Sequence, residues 1–121
     1  MKAQELGLNT CWVASTHGKS AAKTAKGEKQ AIIIALGYGE NQGNVHKNKE
    51  NLATITADDP EWYTTGVKAA LLAPTAINQQ KFHISRNGEE VTITAKSGPC
   101  AKIDLGIVKS HFELASGHKV L

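Results

Sequence analysis

An α+β fold with an antiparallel strand pair is predicted by three features of this 121-residue chain. The run Ala31-Ile32-Ile33-Ile34-Ala35-Leu36 is uninterrupted and largely β-branched; alternating apolar positions flank Asn87-Gly88; and helical periodicity follows both Pro60 and Asp104. The expected order is helix end, strand, helix, hairpin, helix, within a single domain over residues 1–121.

The first residues, Ala3-Gln4-Glu5-Leu6-Gly7-Leu8-Asn9, read as the end of a helix, because helix formers run into a glycine suited to the left-handed cap. So short a helix is not stable by itself, and a preceding segment or a second chain is expected to complete it. Ser15 to Lys29 is small, polar and basic, and reads as loop, with room for a short helix within it. The run from Ala31 to Leu36 is short and closed by Gly37-Tyr38-Gly39, which predicts a strand covered on both faces. Glu40 to Asp59 is polar and reads as a long surface connection.

Asp58 and Asp59 before Pro60 predict an acid-capped helix with proline in its first turn. Tyr63, Val67, Ala70 and Leu71 share a face of that helix, and Pro74 forces its end near Ala73. Phe82 and Ile84 alternate with His83 and Ser85, Asn87-Gly88 suits a type I′ turn, and Val91, Ile93 and Ala95 alternate again, which predicts a hairpin. Ser97-Gly98-Pro99 breaks the sheet. Asp104 is expected to cap a last helix with Leu105, Val108, Phe112 and Ala115 on one face, Ile107, His111 and Leu114 beside it, and Gly117 at its end.

Composition narrows the function. Hydrophobic residues at 40% and charged residues at 21% are ordinary for a globular protein and speak against bulk disorder. The net charge of +3 comes from scattered lysines with a loose cluster at Lys19, Lys23, Lys26 and Lys29. That cluster lacks interleaved aromatics and reads as a solvated loop, so no nucleic-acid partner is expected. Cys11 and Cys100 are far apart and show no metal spacing, which suits reduced thiols in the cytoplasm. No apolar run is long enough to span a bilayer, so no membrane partner is expected.

The five histidines show no metal spacing either, and Cys11 has no histidine partner nearby in sequence. No metal site and no catalytic acid, base or nucleophile is assigned. Chemistry is concentrated in Ala73 to Phe82, where a helix end, a proline, a threonine and three consecutive amides precede a strand. Two readings fit: a polar helix-to-strand turn, or amides that meet the polar edge of a flat ligand with both a donor and an acceptor.

The string Leu72-Ala73-Pro74-Thr75-Ala76-Ile77-Asn78-Gln79-Gln80-Lys81-Phe82 resembles the hallmark of the nitroreductase family of FMN flavoproteins. Ile103-Asp104-Leu105-Gly106-Ile107 is similar to the family's aspartate-leucine-glycine-isoleucine helix start, and Leu6-Gly7-Leu8-Asn9-Thr10-Cys11-Trp12-Val13 to its cysteine-tryptophan segment. The strings occur in an order that resembles a divergent nitroreductase branch, in which the cysteine-tryptophan segment precedes the hallmark.

The resemblance implies a nitroreductase-like α+β fold, here its carboxy-terminal part, that binds FMN, with NADH or NADPH as donor and a small nitroaromatic, quinone or similar molecule as electron acceptor. A homodimer is expected on separate grounds, since the clipped first helix leaves apolar surface and unpaired backbone at Leu6 and Leu8 for a partner to cover. Carried over by residue, Pro74, Thr75, Ala76 and Asn78 face the flavin, Gln80 supports Asn78, and Gly37, Tyr38 and Gly39 lie near a flavin-facing connection. One element departs from the pattern. The family's opening helix carries an arginine-x-serine-x-arginine grip on the FMN phosphate, whereas Arg86 is the sole arginine here. Loss of two charged hydrogen-bonding contacts lowers expected FMN affinity by roughly two to four powers of ten. A degenerate flavin-binding or structural fragment without turnover is the alternative.

Overall fold

The computed structural model describes residues 2–14 and 16–121; Met1 lies outside it, as does Ser15, where the expected loop begins. The chain forms two compact units, Met1–Asn44 and Val45–Leu121.

In the first unit, α1 (Lys2–Glu5) ends at Gly7, whose φ of 72° takes up the expected left-handed cap. Two strands follow, β1 (Asn9–Val13) and β2 (Ile33–Gly37), paired antiparallel with Trp12 opposite Ile34 and Cys11 opposite Ala35. β1 was not foreseen: five residues with one β-branched pair carry too little periodic signal to separate strand from loop. β2 is a strand as expected, yet it is not covered on both faces. Ile34 is 48% and Leu36 61% exposed, because β2 pairs with one strand and forms a two-stranded ribbon. Residues 17–32 form neither helix nor strand.

The second unit holds the core. α2 (Glu61–Ala70) and α3 (Ala101–Ser116) pack together, and the hairpin of β3 (Phe82–Asn87) and β4 (Glu90–Ala95) supplies the other side. Tyr63, Val67 and Ala70 of α2 meet Ile84, Val91 and Ile93 of the hairpin and Ile107, Val108 and Phe112 of α3. The long connection joins this core: Leu52 is buried, and Ala53 makes a parallel bridge to Ile84, with Ile84 N donating to Leu52 O and Thr54 N to Ile84 O, each at 2.9 Å.

Several local expectations shift by a residue. The N-cap of α2 is Pro60 itself; Asp59 instead accepts from Thr56 N at 2.6 Å and pairs with Arg86. Arg86 sends Nε and Nη2 to Asp59 Oδ1 at 2.9 and 2.7 Å, Nη1 to Gly88 O, and lies over the Tyr63 ring. The Thr56 N–H and Arg86 hold the Asp59 carboxyl below its ordinary range. The hairpin loop is Gly88-Glu89, since Asn87 pairs with Glu90; of these only Gly88 has positive φ, at 60°, which is the signature of a II′ rather than an I′ turn. On α3 the buried stripe is Ile107, Val108 and Phe112, while Leu105 and Ala115 are half-buried and Leu114 is exposed. Gly117 ends the helix with φ 73°, as expected.

His111 is half-buried and donates Nδ1–H to Ala69 O at 3.2 Å, linking α3 to α2. Burial lowers its pKa below the ordinary histidine value, against the raising effect of the Ala69 bond. Between the ordinary and the lowered value, the unfolded chain binds more protons than the folded one. Stability is therefore expected to fall as pH drops below about 6.5 and to level off below the folded pKa. Urea midpoints from pH 7.5 to 5.5 check this, and the slope should flatten in a His111→Asn variant. No described helix is long and apolar enough to cross a membrane.

Candidate functional site

Between α2 and β3 the chain reverses through Pro74 and Thr75 into one 3-10 turn, Ala76–Asn78. Three non-glycine residues there lie in the left-handed region: Ile77 at φ 48°, Asn78 at 51° and Gln80 at 45°. Asparagine tolerates this conformation, but a β-branched residue is disfavoured in it by roughly 1–2 kcal/mol. Ile77 is moreover 88% exposed, so its own burial does not offset the strain. The turn must be held from behind.

Behind it lies a buried polar network. Asp104, in the first turn of α3, accepts from Ala76 N at 3.0 Å and from Gln79 Nε2 at 2.6 Å. Asp104 is therefore not the cap of α3, whose N-cap position belongs to Cys100; its carboxylate ties the turn to the helix. Gln79 Nε2 also donates to Pro99 O at 2.6 Å. Two acceptors on one side fix the amide orientation and leave Gln79 Oε1 buried and unpartnered, pressed against Gly98. A Cβ at residue 98 would stand 2.5 Å from that oxygen, so the glycine is required by close approach.

Gln80 is 3% exposed and fully used. Its Oε1 accepts from Lys49 N at 2.8 Å, and its Nε2 donates to Lys47 O at 2.9 Å and to Asn78 Oδ1 at 2.8 Å. Its backbone N–H goes to Thr75 Oγ1 at 3.0 Å, and Lys49 Nζ caps Gln79 O at 2.8 Å. With Asn78 Oδ1 taken up by Gln80, the Nδ2 donor of the exposed Asn78 is left without a partner among the described residues.

Pro74, Thr75, Ala76, Asn78 and Gln80 are thus gathered in one turn, with Pro74 and Asn78 at the surface and Gln80 beneath. Gly37, Tyr38 and Gly39 belong to the first unit, at and beyond the end of β2, and all three are exposed. Gln79, Gly98 and Lys49 escaped the sequence reading. Three amides in a row carried a signal for Gln79, but nothing local pairs residue 49 with residue 80. Among the described residues no group of three or more metal-ligating side chains forms.

A helix, an amide-clamped turn, a hairpin and a packed helix follow one another in an α+β arrangement. Residues 1–116 match the family described as Putative TM nitroreductase, and the chain belongs to that family. It is similar to the crystal structure of a putative nitroreductase from Thermotoga maritima, with 26% identity and a TM-score of 0.68 over 91% of this chain and 46% of that one. The chain spans about half the length of that relative. No curated protein matches it.

The turn fits a flavin's polar edge in one concrete respect: the free amide donor of exposed Asn78 is held in advance by a buried partner, so little ordering is needed when an acceptor arrives. Arg86 does not supply a phosphate grip, because Asp59 and Gly88 occupy its guanidinium.

Proposed function

We propose that this chain forms part of an FMN-dependent oxidoreductase of nitroreductase type, taking electrons from NADH or NADPH and passing them to a nitroaromatic, quinone or similar small acceptor. The observation that carries the reading is the unpartnered Nδ2 of the exposed Asn78, on a turn tied down by Gln79, Gln80 and Asp104. FMN, when bound, supplies the hydride chemistry; the protein supplies binding and orientation. Asn78 Nδ2 would donate to a carbonyl of the pyrimidine edge, with Pro74, Thr75 and Ala76 beside the ring and Gln80 holding Asn78 in place. Gly37, Tyr38 and Gly39 would line a flavin-facing connection.

Both units belong, in this reading, to one nitroreductase domain, as the family match across residues 1–116 supports. A homodimer is favoured by the exposed apolar ribbon of the first unit, where Trp12 is 37%, Ile34 48% and Leu36 61% exposed. Free thiols at Cys11 and Cys100 suit the cytoplasm. The commitment of Arg86 favours a second reading, weak flavin binding without turnover.

An FMN titration followed by flavin absorbance or fluorescence tests the proposal. Asn78→Asp replaces the donor with a charged acceptor and is expected to weaken FMN binding by more than about tenfold, while the urea midpoint moves little. Equal FMN affinity in the two proteins, or no FMN binding by the unaltered chain, would reject the assigned role. Oxidation of NADH or NADPH by the FMN-loaded protein separates the first reading from the second.

A further inference from the structure

Where β4 gives way to α3, the surface holds an open-mouthed cavity of about 590 Å³. That volume lies inside the range of roughly 300–1,000 Å³ typical of small-molecule sites. Its walls are apolar, with Ala95 at the strand end and Ile103 and Leu105 on the helix. Its polar side chains include Lys96, Lys102 and Ser97, and no acidic residue lines it. The ion pairs among the described residues, Lys2 with Glu5, Asp59 with Arg86 and Glu113 with Lys119, leave both cavity lysines uncommitted. The backbone beneath is fixed, since Lys96 N donates to Lys81 O at 2.9 Å.

We propose that this cavity binds an aryl carboxylate: a flat apolar body against Ile103 and Leu105, with one carboxylate between the ammonium groups of Lys96 and Lys102. Two lysines with no acidic residue in the lining, the Asp104 carboxylate being taken up by Ala76 N and Gln79 Nε2, favour an anion, and the apolar walls favour a ligand with a ring to cover them. Inorganic phosphate meets only half of that description. It has charge for the lysines but nothing to displace water from the walls. A neutral aromatic meets the other half. The site is distinct from the proposed flavin turn, because none of Pro74, Thr75, Ala76 or Asn78 lines it, although Gly98 in its wall touches Gln79 behind that turn.

The probe is 2-naphthoate, added to the ¹⁵N-labelled 121-residue chain and followed by amide chemical shifts, with 2-naphthylmethanol and inorganic phosphate as comparisons. Saturable shifts confined to residues 95–105 are expected with naphthoate. Binding of the alcohol and of phosphate should be at least about fivefold weaker, and the Lys96→Met, Lys102→Met double variant should lose about fivefold to tenfold in naphthoate affinity but none for the alcohol. Raising salt from 50 to 500 mM on the unaltered protein gives the same contrast without any substitution, weakening naphthoate and sparing the alcohol. No saturable binding, equal binding of the alcohol or of phosphate, salt-independent naphthoate affinity, or shifts centred on residues 74–80 would overturn the proposal.

Discussion

Replacing Asp104 with alanine is expected to destabilise the protein by about 3 kcal/mol, because two donors lose a charged acceptor in a buried setting. Asp104 is 7% exposed, and its two oxygens serve Ala76 N and Gln79 Nε2 separately. Water cannot readily replace it for Gln79, which is itself 5% exposed. Asp104→Asn keeps one acceptor but turns an amide donor toward another donor, so about half of the loss should remain. Linear extrapolation of urea unfolding reads both values. For a unit of this size, the alanine variant should also melt at least about 10 °C lower. The same substitution frees the strained turn, so FMN affinity should fall with stability in this variant, unlike in Asn78→Asp. A stability loss under about 1 kcal/mol would mean that contacts other than this carboxylate hold the turn.

Alanine at Gly66 should destabilise the protein by about 2 kcal/mol, although alanine is the better helix former by up to about 1 kcal/mol. The residue lies in α2 against α3, where a Cβ would stand 2.6 Å from Phe112 Cε2 and 2.7 Å from Cζ. Phe112 is fully buried and packed against Tyr63 with ring centroids 6.0 Å apart, which leaves its ring little room to retreat. Gly106 on α3 provides the contrast. Its surroundings hold nothing within 4 Å of a Cβ, and Gly106→Ala should stabilise by about 0.5–1 kcal/mol. Thermal and urea unfolding of the two single variants decide the matter; a stabilised Gly66→Ala would show that α2 and α3 shift apart at little cost.

Legibility in the sequence followed the range of the interactions. The hairpin, α2 and α3 were readable because alternation, helical period, Pro74 and Gly117 act over a few residues. Details set by tertiary contact were misread. Asp59 and Asp104 both looked like helix caps, yet each carboxylate serves a distant partner, Arg86 in one case and the 76–79 turn in the other. β2 looked like a buried strand from its apolar run, whereas exposure depends on what packs against it, and among the described residues β1 is its sole strand partner.

The sequence by itself determined the α+β class, the nitroreductase resemblance and the turn on which the proposed site depends, since all three rest on residue types at fixed short spacings. Only the tertiary structure decided how that turn is made rigid. Lys49 approaches Gln80, Pro99 approaches Gln79 and Asp104 approaches Ala76 across 31, 20 and 28 positions of chain. Such contacts have no periodic trace in one sequence, because they depend on the packing of whole elements around a shared core. With them in place, the buried Gln80 holds Asn78 Oδ1 and leaves Nδ2 without a partner among the described residues.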